Sequence, residues 1–580
     1  MAEQQVVGIL QFTIQFSPPS REVTQMAQGG EFDVCVIGTG AGGGVMIQEL
    51  TAAGFHVVAL ERGPKLELQQ FMSDDELSFV IRDEVFSSGQ LETWRPDEVS
   101  DTQQGRFNMI AYCVGGTITH WAGLSWRFRP DEFKVLSTDG PVPEASLVDW
   151  PIDYEEMEPW YQRAEWEFGV SGAGGSNPFE GPRKKGYPNP PHPPRSATKI
   201  VDHAAKKLGY STFPVPMGIN SQPYGGRPGC VYGGACAQYG CPIHAKGTTL
   251  SIHIPNALAT GMLDLRPNAR VYEITLGQDG RARGARYLDA QGQHQEVRAR
   301  QVIVSAGTIG SPHVLLMSKS ASFPNGMANS SGLVGCNLTM HHFSTIQFTV
   351  DTPAYAFTGL EAHVGIDDFH PSDPNRGFIR GGVINDVNIL VKQPLMYALS
   401  ALPGHPKMQR TWGSDLKRAL RDFPHIVPMG AVLEDLPIES NRVDLDPIVQ
   451  DAQGIPAPRI THRQHPNDLA MHKWFAQRLL EIADAADAID CWPEGGPFRL
   501  VDESSAMPGS AHLHGTCRMG DDPAKSVVDR WCRSHDVKNL WVVDCSVFPT
   551  SGGYNPTLTL LANAYRVADR FVSEGKKGNL

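Results

Sequence analysis

Long apolar runs are missing from this sequence: no stretch approaches the roughly 18 uninterrupted apolar residues that a membrane-spanning helix needs. Cysteine is scarce, with ten in 580 residues, which excludes a disulfide scaffold. Basic residues are fewer than acidic ones, and the resulting net charge of -13 opposes binding to nucleic acid or to an anionic lipid surface. The first residues, MAEQQVVGIL, contain neither a basic leader nor a sufficient apolar core, so we expect no export signal in the chain itself.

The chain is long, and it is rich in glycine and proline. A chain of 580 residues exceeds what a single core organises, so we expect two or more domains. The 59 glycines and 44 prolines predict many turns and long loops. Because the hydrophobic fraction of 41% and the charged fraction of 19% are ordinary for a globular protein, we expect an enzyme.

A dinucleotide-binding βαβ unit is predicted at 32–62, FDVCVIGTGAGGGVMIQELTAAGFHVVALER. Gly38 permits the tight turn after the first strand, Gly40 lets the backbone approach a pyrophosphate, and Gly43 allows the helix to pack closely on the strand. The helix N-terminus presents unpaired N–H groups to the phosphates. Glu61, at the end of the second strand, is predicted to accept the ribose hydroxyls. The unit alone does not distinguish FAD from NAD.

Three later stretches make that distinction: AYCVGGTITHWAGLSWRF at 111–128, HLHGTCRMG at 512–520 and VVDCSVFPTSGGYNPTLTLLANAYRVADRF at 542–571. Together with the βαβ unit they resemble the glucose–methanol–choline oxidoreductases, flavoenzymes that oxidise alcohols and sugars. Within that family the chain most resembles pyranose oxidases and the flavoprotein large subunits of bacterial sugar and polyol dehydrogenases. The resemblance implies FAD as the cofactor and hydride transfer to it from a secondary or hemiacetal alcohol of a sugar, glycoside or polyol.

The predicted fold class is α/β, or α+β overall: a Rossmann-like FAD-binding domain assembled from discontinuous segments, and a substrate-binding domain with a mainly antiparallel sheet. The predicted segments are 30–130, 225–335 and 500–575 for FAD, 131–224 and 336–499 for the substrate, and 1–29 as an N-terminal extension. We expect the substrate pocket to be formed by the sheet of 336–499 and by loops near 113–126.

Two residues in the C-terminal motifs are candidates for catalysis. A His-x-His pair on an extended segment leaves His512 and His514 equally open as the base, and the resemblance assigns His512. The resemblance also makes Asn555 the second catalytic residue, which would hold the substrate hydroxyl. Asn555 before Pro556 is equally typical of a helix cap. A helix starting at Pro556 and Thr557 would direct its positive end at the flavin pyrimidine ring.

Further cofactor contacts come from three segments. The loop GGTITHW contains Gly115, Gly116 and His120, and it resembles a pyranose oxidase loop whose histidine bonds covalently to the flavin 8α-methyl group. His120 is therefore a candidate attachment point, with non-covalent packing on the ring as the alternative. The other candidates are Val271 in the predicted strand 268–276, Ala306 and Gly307 in the strand, turn and helix of 301–318, and Asp544 after the apolar strand LWVVD.

Three cysteines lie close together in GCVYGGACAQYGC, at Cys230, Cys236 and Cys241. Three thiolates in a glycine-rich loop, with a proline after the last, suit a three-iron cluster, and related dehydrogenase subunits carry a [3Fe-4S] cluster on a similarly spaced loop. Zinc with His244 as a fourth ligand is one alternative. A loop of free or disulfide-linked cysteines is the other.

Two classes of enzyme follow from the cysteine loop. With a cluster, the chain is the large subunit of a dehydrogenase complex, paired with a small subunit and passing electrons to a cytochrome or another carrier. Without it, the chain is a self-contained, pyranose-oxidase-like enzyme that uses oxygen or quinones. The first would be periplasmic through a signal-bearing partner, and a cytoplasmic enzyme would have the same sequence. A non-catalytic flavoprotein is disfavoured by His512 and Asn555.

Overall fold

A computed structural model describes residues 30–71, 91–105, 107, 109–234, 236–387, 397–398, 405–407, 410, 412–493 and 510–580. The predicted N-terminal extension, 1–29, and the first residues of the third predicted FAD segment, 500–509, lie outside these ranges. In the described part of the chain, no helix combines the length and the apolarity that crossing a bilayer requires.

The described strands, numbered along the chain, are β1 Phe32–Ile37, β2 Val57–Leu60, β3 Glu92–Arg95, β4 Gln103–Gly105, β5 Thr212–Pro214, β6 Leu263–Arg266, β7 Arg270–Leu276, β8 Ala282–Leu288, β9 His294–Val304, β10 Thr339–Met340, β11 His342–Thr349, β12 Val364–Ile366, β13 Gly382–Asn385, β14 Ile426–Leu433, β15 Arg442–Gln450, β16 Pro456–Thr461, β17 Asp490–Pro493, β18 Leu513–His514 and β19 Leu540–Val542. The α-helices are α1 Ala41–Ala52, α2 Val135–Asp139, α3 Tyr154–Phe168, α4 Ser196–Lys207, α5 His253–Ala259, α6 Gly307–Met317, α7 Gly413–Arg421, α8 Pro466–Ala485 and α9 Thr557–Lys576.

The first sheet has the strand order β6-β2-β1-β9-β8-β7, with β19 also paired to β9. Strands β6, β2, β1, β9 and β19 run parallel, whereas β7, β8 and the start of β9 form an antiparallel meander. The β1 sequence is apolar on both faces because it is central in the sheet and α1 packs above it. Helix α9 packs against α1 and α3. This sheet confirms the predicted Rossmann-like βαβ unit.

The second sheet is antiparallel, with the order β17-β11-β14-β13-β12-β5. Side chains alternate along its strands, so Ile346, Phe348 and Ile384 face a core shared with α4 and α8. The intervening residues, among them Phe343 and Thr345, face the opposite way, into a cavity. The prediction of a mainly antiparallel substrate sheet is confirmed.

Two smaller sheets connect the parts. Strand β10 pairs with β18, which aligns Thr339 with His514 and Met340 with Leu513. The fourth sheet has the order β15-β16-β3-β4, so a hairpin from the first predicted FAD segment pairs with a strand from a predicted substrate segment. The residue bounds of the two domains therefore stay a prediction.

Candidate functional site

One cavity of about 350 Å³ brings together most of the residues singled out from the sequence. Its walls contain Gly38, Gly40, Glu61, Gly116, His120, Val271, Ala306, Gly307, His512, Asp544, Asn555, Pro556 and Thr557. Gly43, Gly115 and the three loop cysteines are not on its walls. The cavity runs from the end of β1 to the face of the second sheet.

The β1–α1 turn forms one end of the cavity. Gly38 has a φ of +95° and its N–H donates to the Leu60 carbonyl at 2.8 Å. A Cβ at Gly43 would lie 2.1 Å from the Gly38 carbonyl oxygen, so only glycine lets α1 approach the turn. Helix α1 begins after Gly40 without a side-chain cap, which leaves its first N–H groups available to a ligand.

Two buried carboxylates lie on the same wall. Glu61 accepts hydrogen bonds from the Thr39 N–H at 3.0 Å, the Thr39 hydroxyl at 2.7 Å and the Gly63 N–H at 3.0 Å. Asp544 accepts from the Gly307 N–H at 3.0 Å and from the Ser311 hydroxyl at 2.5 Å, and so ties the start of α6 to the turn after β19. Burial raises the pKa of both carboxyls.

At the other end of the cavity, His512 and Asn555 meet. The Asn555 amide nitrogen lies 3.3 Å from Nε2 of His512, and the Nδ1 atom of His512 lies 3.2 Å from Nδ1 of His341. Burial, and secondly the charge of His341, lower the pKa of His512 well below its ordinary value, so the imidazole is neutral near pH 7. Asn555 does not cap α9: the N-cap residue is Pro556, and no side chain caps the helix.

His514 is separated from this pair by its position in β18. The side chain is fully buried, lies parallel to Phe548 with a ring separation of 5.7 Å, and does not line the cavity. Both rings of the His-x-His pair pack beside His341, at 5.2 Å for His512 and 5.0 Å for His514. Only the tertiary contacts separate the two histidines.

The second sheet covers the cavity with two rows of residues. Phe343 pairs with Val432, and the Phe343 ring lies 5.6 Å from the His512 ring. Two residues further along, Thr345 pairs with Gly430, which pairs with Asn385.

The second of these rows is polar. The Asn385 Oδ1 atom is buried and has no hydrogen-bond partner among the described residues, and the fully buried Glu361 also lines the cavity. The sequence predicted this sheet as the pocket wall, but it did not identify Thr345 or Asn385, whose common face depends on strand pairing, or Glu361, which precedes β12.

His120 connects the cavity to the cysteine loop. It ends the 3₁₀ turn Thr117–His120, its side chain is buried, and its ring lies 6.0 Å from Phe71. The His120 carbonyl accepts a hydrogen bond from the N–H of Gln238 at 2.7 Å, and both Gln238 and Ala237 line the cavity. The cysteine loop therefore touches the cavity through residues between Cys236 and Cys241.

Two buried cations hold the cysteine loop. The Lys246 ammonium donates to the carbonyls of Trp121 at 2.8 Å, Cys236 at 2.8 Å and Tyr239 at 2.7 Å. The Arg227 guanidinium donates to the Ala245 carbonyl at 3.2 Å, and its pKa, lowered to about 10 by burial, is raised in part by the charge of Cys241.

The three thiols are half-buried and close enough to interact. Burial, with smaller contributions from the charges of Cys236 and Cys241, raises the pKa of Cys230 to about 11. All ten cysteines of the chain lie in the described ranges and none forms a disulfide, so the disulfide alternative is not observed. His244, the candidate fourth zinc ligand, is half-buried, and burial together with Arg227 lowers its pKa.

A buried cluster that the sequence did not predict lies behind His512. Among the described residues, His342, Asp435 and His462 have ligand atoms within 4.8 Å of one another, and the three cysteines are not such a set. The Asp435 carboxylate accepts from Nε2 of His342 at 3.2 Å, from Nε2 of His462 at 2.9 Å and from the Met340 N–H at 2.8 Å. Because three donors from separate segments meet at this carboxylate, the cluster is a hydrogen-bonded support for β10 and β11.

Comparisons with known proteins cover almost the whole chain. Two family models described as GMC oxidoreductase match residues 151–343 and 437–564. The chain is 32% identical to 2-methyl-1,2-propanediol dehydrogenase of Mycolicibacterium austroafricanum, over 93% of this chain and 94% of that protein. It is 31% identical to paromamine 6'-oxidase of Streptomyces fradiae, over 93% and 90%. It is 29% identical to the fructose dehydrogenase large subunit of Gluconobacter japonicus, over 94% and 98%.

A solved structure has the same fold. Pyridoxine 4-oxidase from Mesorbium loti superposes with a TM-score of 0.61 at 16% identity, covering 93% of this chain and 99% of that one.

Proposed function

The chain belongs to the GMC oxidoreductase family and is an FAD-dependent oxidoreductase, and we propose that it oxidises a secondary or hemiacetal alcohol of a sugar, glycoside or polyol. The observation that carries this proposal is the pair formed by His512 and Asn555, whose side chains lie 3.3 Å apart on the cavity wall. A base and an amide beside one cavity are what removal of a hydroxyl proton requires.

The residues along the cavity fit FAD. The uncapped start of α1 at Gly38 and Gly40 suits the pyrophosphate, and Glu61 suits the ribose. The uncapped start of α9, at Pro556 and Thr557, lines the other end of the same cavity.

The remaining candidate contacts are Gly43 and Gly115 in the turns that shape the wall, and Gly116, His120, Val271, Ala306, Gly307 and Asp544 on the wall itself. When bound, FAD supplies the acceptor for the hydride.

The chain's own residues would handle the proton. His512 is neutral near pH 7, so its Nε2 atom can take the hydroxyl proton of the alcohol. The Asn555 amide, beside that atom, would hold the alcohol oxygen, and its Oδ1 atom has no hydrogen-bond partner among the described residues. The positive end of α9 would favour negative charge at this end of the cavity.

The two rows of the sheet support a polyhydroxylated substrate. Phe343 lies against His512, whereas Thr345 and Asn385 lie two residues further along their strands, roughly 7 Å away. An apolar row beside the reacting carbon and a polar row one sugar-ring width away suit a molecule with several hydroxyls. Glu361 adds a buried acceptor to the same wall.

We assign electron transfer away from FAD to the cysteine loop. Cys230, Cys236 and Cys241 would hold a three-iron cluster that accepts single electrons. Iron binding would displace the thiol proton that burial retains on Cys230, and the buried cations Lys246 and Arg227 lie beside the loop. Zinc is disfavoured because its tetrahedral sulfur ligands would lie about 3.8 Å apart, and the three thiols are not among the described groups whose ligand atoms all lie within 4.8 Å of one another. The likeness to a fructose dehydrogenase large subunit supports a small subunit and a cytochrome or another carrier as partners.

A self-contained oxidase is the second candidate function, favoured by the 31% identity to paromamine 6'-oxidase. In that case oxygen or a quinone would take the electrons, and the cysteine loop would be structural.

The deciding measurement is iron and acid-labile sulfide per FAD in anaerobically purified protein. Near three irons per flavin supports the dehydrogenase, and protein without iron that binds FAD and turns over supports the oxidase.

Anaerobic flavin reduction by a panel of sugars, polyols and simple alcohols tests the reaction class. Absence of reduction by every alcohol would refute the proposed activity. Release of all flavin on acid precipitation would refute a covalent bond to His120.

A further inference from the structure

We propose that His341, which lies behind the cavity, holds the ring proton of His512 on Nδ1 and thereby leaves the Nε2 lone pair facing the cavity. His341 is then a positioning residue, because it acts on the reaction through His512. The inference rests on the proposed role of His512 as the base.

The protonation of His341 follows from its partners. Its Nε2 atom contacts two carbonyl oxygens, those of Ser551 at 3.2 Å and of Gly552. A carbonyl oxygen can only accept, so Nε2 of His341 carries a proton. Burial lowers the pKa of His341 to about 4, so near neutral pH this is its only ring proton. Its Nδ1 atom is therefore an acceptor.

The protonation of His512 follows from that of His341. The two Nδ1 atoms lie 3.2 Å apart, and since that of His341 accepts, that of His512 must donate. His512 is neutral, so its Nε2 atom carries no proton. This unprotonated atom lies 3.3 Å from Nδ2 of Asn555, which is a donor. Donors and acceptors therefore alternate without conflict from the Ser551 carbonyl to the cavity.

The arrangement has a catalytic consequence. A free neutral imidazole divides between two tautomers, and only the one with an unprotonated Nε2 can accept a proton from a substrate in this cavity. When His512 takes that proton, its Nδ1–H still donates to His341, and only the contact between its Nε2 atom and the Asn555 amide nitrogen is given up. The backbone also fixes the pair, because the His341 N–H donates to the His512 carbonyl at 3.1 Å.

Two variants isolate the acceptor. His341→Asn keeps an acceptor, Oδ1, near the place of Nδ1, whereas His341→Leu has none. Both variants lose the proton that His341 donates to the Ser551 and Gly552 carbonyls, so that loss is common to the two. A difference between the two variants in the His512 tautomer or in the rate of flavin reduction therefore reports the contact with His512, provided that both variants bind FAD.

The first readout is the tautomer itself. Histidine-selective ¹⁵N NMR of the FAD-bound protein, with His512 assigned by its loss in His512→Ala, should show His512 protonated at Nδ1 in the wild type and in His341→Asn. In His341→Leu the Nε2-protonated form should become the major one. An Nε2-protonated His512 in the wild type would overturn the proposal without any variant.

The second readout is the rate of flavin reduction at saturating alcohol. We expect His341→Leu to lose about 10- to 100-fold, with the substrate Kd within twofold of wild type, and His341→Asn to retain the rate within about threefold. Equal rates or equal tautomers in the two variants would overturn it. If no alcohol reduces the wild-type flavin, the proposed activity fails, while the NMR result still decides the role of His341.

Discussion

The histidine end of the cavity and the cysteine loop differ in the charged groups that surround them. At the histidine end, His341 and His512 are buried beside each other, and burial lowers the pKa of both. At the cysteine loop, the cations Lys246 and Arg227 lie against the segment that carries the thiols. The first environment keeps a base neutral and ready to take a proton. In the second, burial keeps the Cys230 thiol protonated, and the nearby cations would offset negative charge once the thiols ionise. The comparison therefore places the proposed proton chemistry at His512 and the proposed electron transfer at the cysteine loop in different parts of the site.

The largest expected effect is at the histidine end. His512→Ala should lower alcohol-dependent flavin reduction by about 10²- to 10⁴-fold, because it removes the base. FAD content should stay near that of the wild type, since the groups proposed to hold the pyrophosphate and ribose are at the other end of the cavity. Rapid-mixing anaerobic reduction measures the rate. The matched control is His514→Asn, two residues away and off the cavity wall, and an equal loss in this variant would contradict the assignment.

At the cysteine loop, Cys236→Ser should remove most of the iron per FAD and slow transfer to one-electron acceptors by at least about tenfold. Alcohol-dependent flavin reduction should remain within about twofold, because the cysteines are not on the cavity wall. Metal analysis measures the iron per FAD, and steady-state assays with two acceptors measure the rate of electron transfer. Cys491→Ser, a half-buried thiol in β17, is the control. Iron retained in Cys236→Ser would exclude this residue as a ligand.

The pH dependence of flavin reduction tests whether the histidine end of the cavity keeps His512 neutral. The folded-state pKa of His512 lies well below the ordinary histidine value of about 6.5. Flavin reduction should therefore be constant from pH 9 to about 6.5 and fall only as the pH drops through the lowered folded-state pKa. Stability should begin to decline at higher pH than the rate does, because below about 6.5 the unfolded chain binds protons that buried His512 and His341 do not. Stopped-flow rates and thermal midpoints test this, and a rate already falling at pH 7.5 would contradict it.

The smallest expected effect is on the polar row of the sheet. Asn385→Leu should raise the KM of a polyhydroxylated substrate by about 2- to 10-fold, the usual range for one hydrogen bond. The KM of a simple alcohol, which is too short to reach this row, should change less than twofold. Steady-state kinetics with the two substrates measure the difference. An equal change in the KM of both substrates would mean that Asn385 shapes the cavity rather than recognising distal hydroxyls.

Local patterns predicted much of the fold. The glycine spacing and apolar strands of 32–62 predicted β1, α1 and β2, and 301–318 predicted the end of β9 and α6. These predictions succeed because turns, helix starts and buried strands depend on neighbouring residues. The alternating run beginning at Ser344 predicted β11, but the register that places Thr345 opposite Gly430, itself opposite Asn385, depends on three distant strands.

By itself, the sequence determined the family, the FAD motif, the His-x-His pair and the cysteine loop, because each is encoded in a short run of residues. The tertiary structure alone decided which histidine lines the cavity, that His341 lies behind it, and that the loop between Cys236 and Cys241 touches His120. Residues 341 and 512 meet only when β10 pairs with β18, and a hydrogen bond depends on distance in space rather than along the chain.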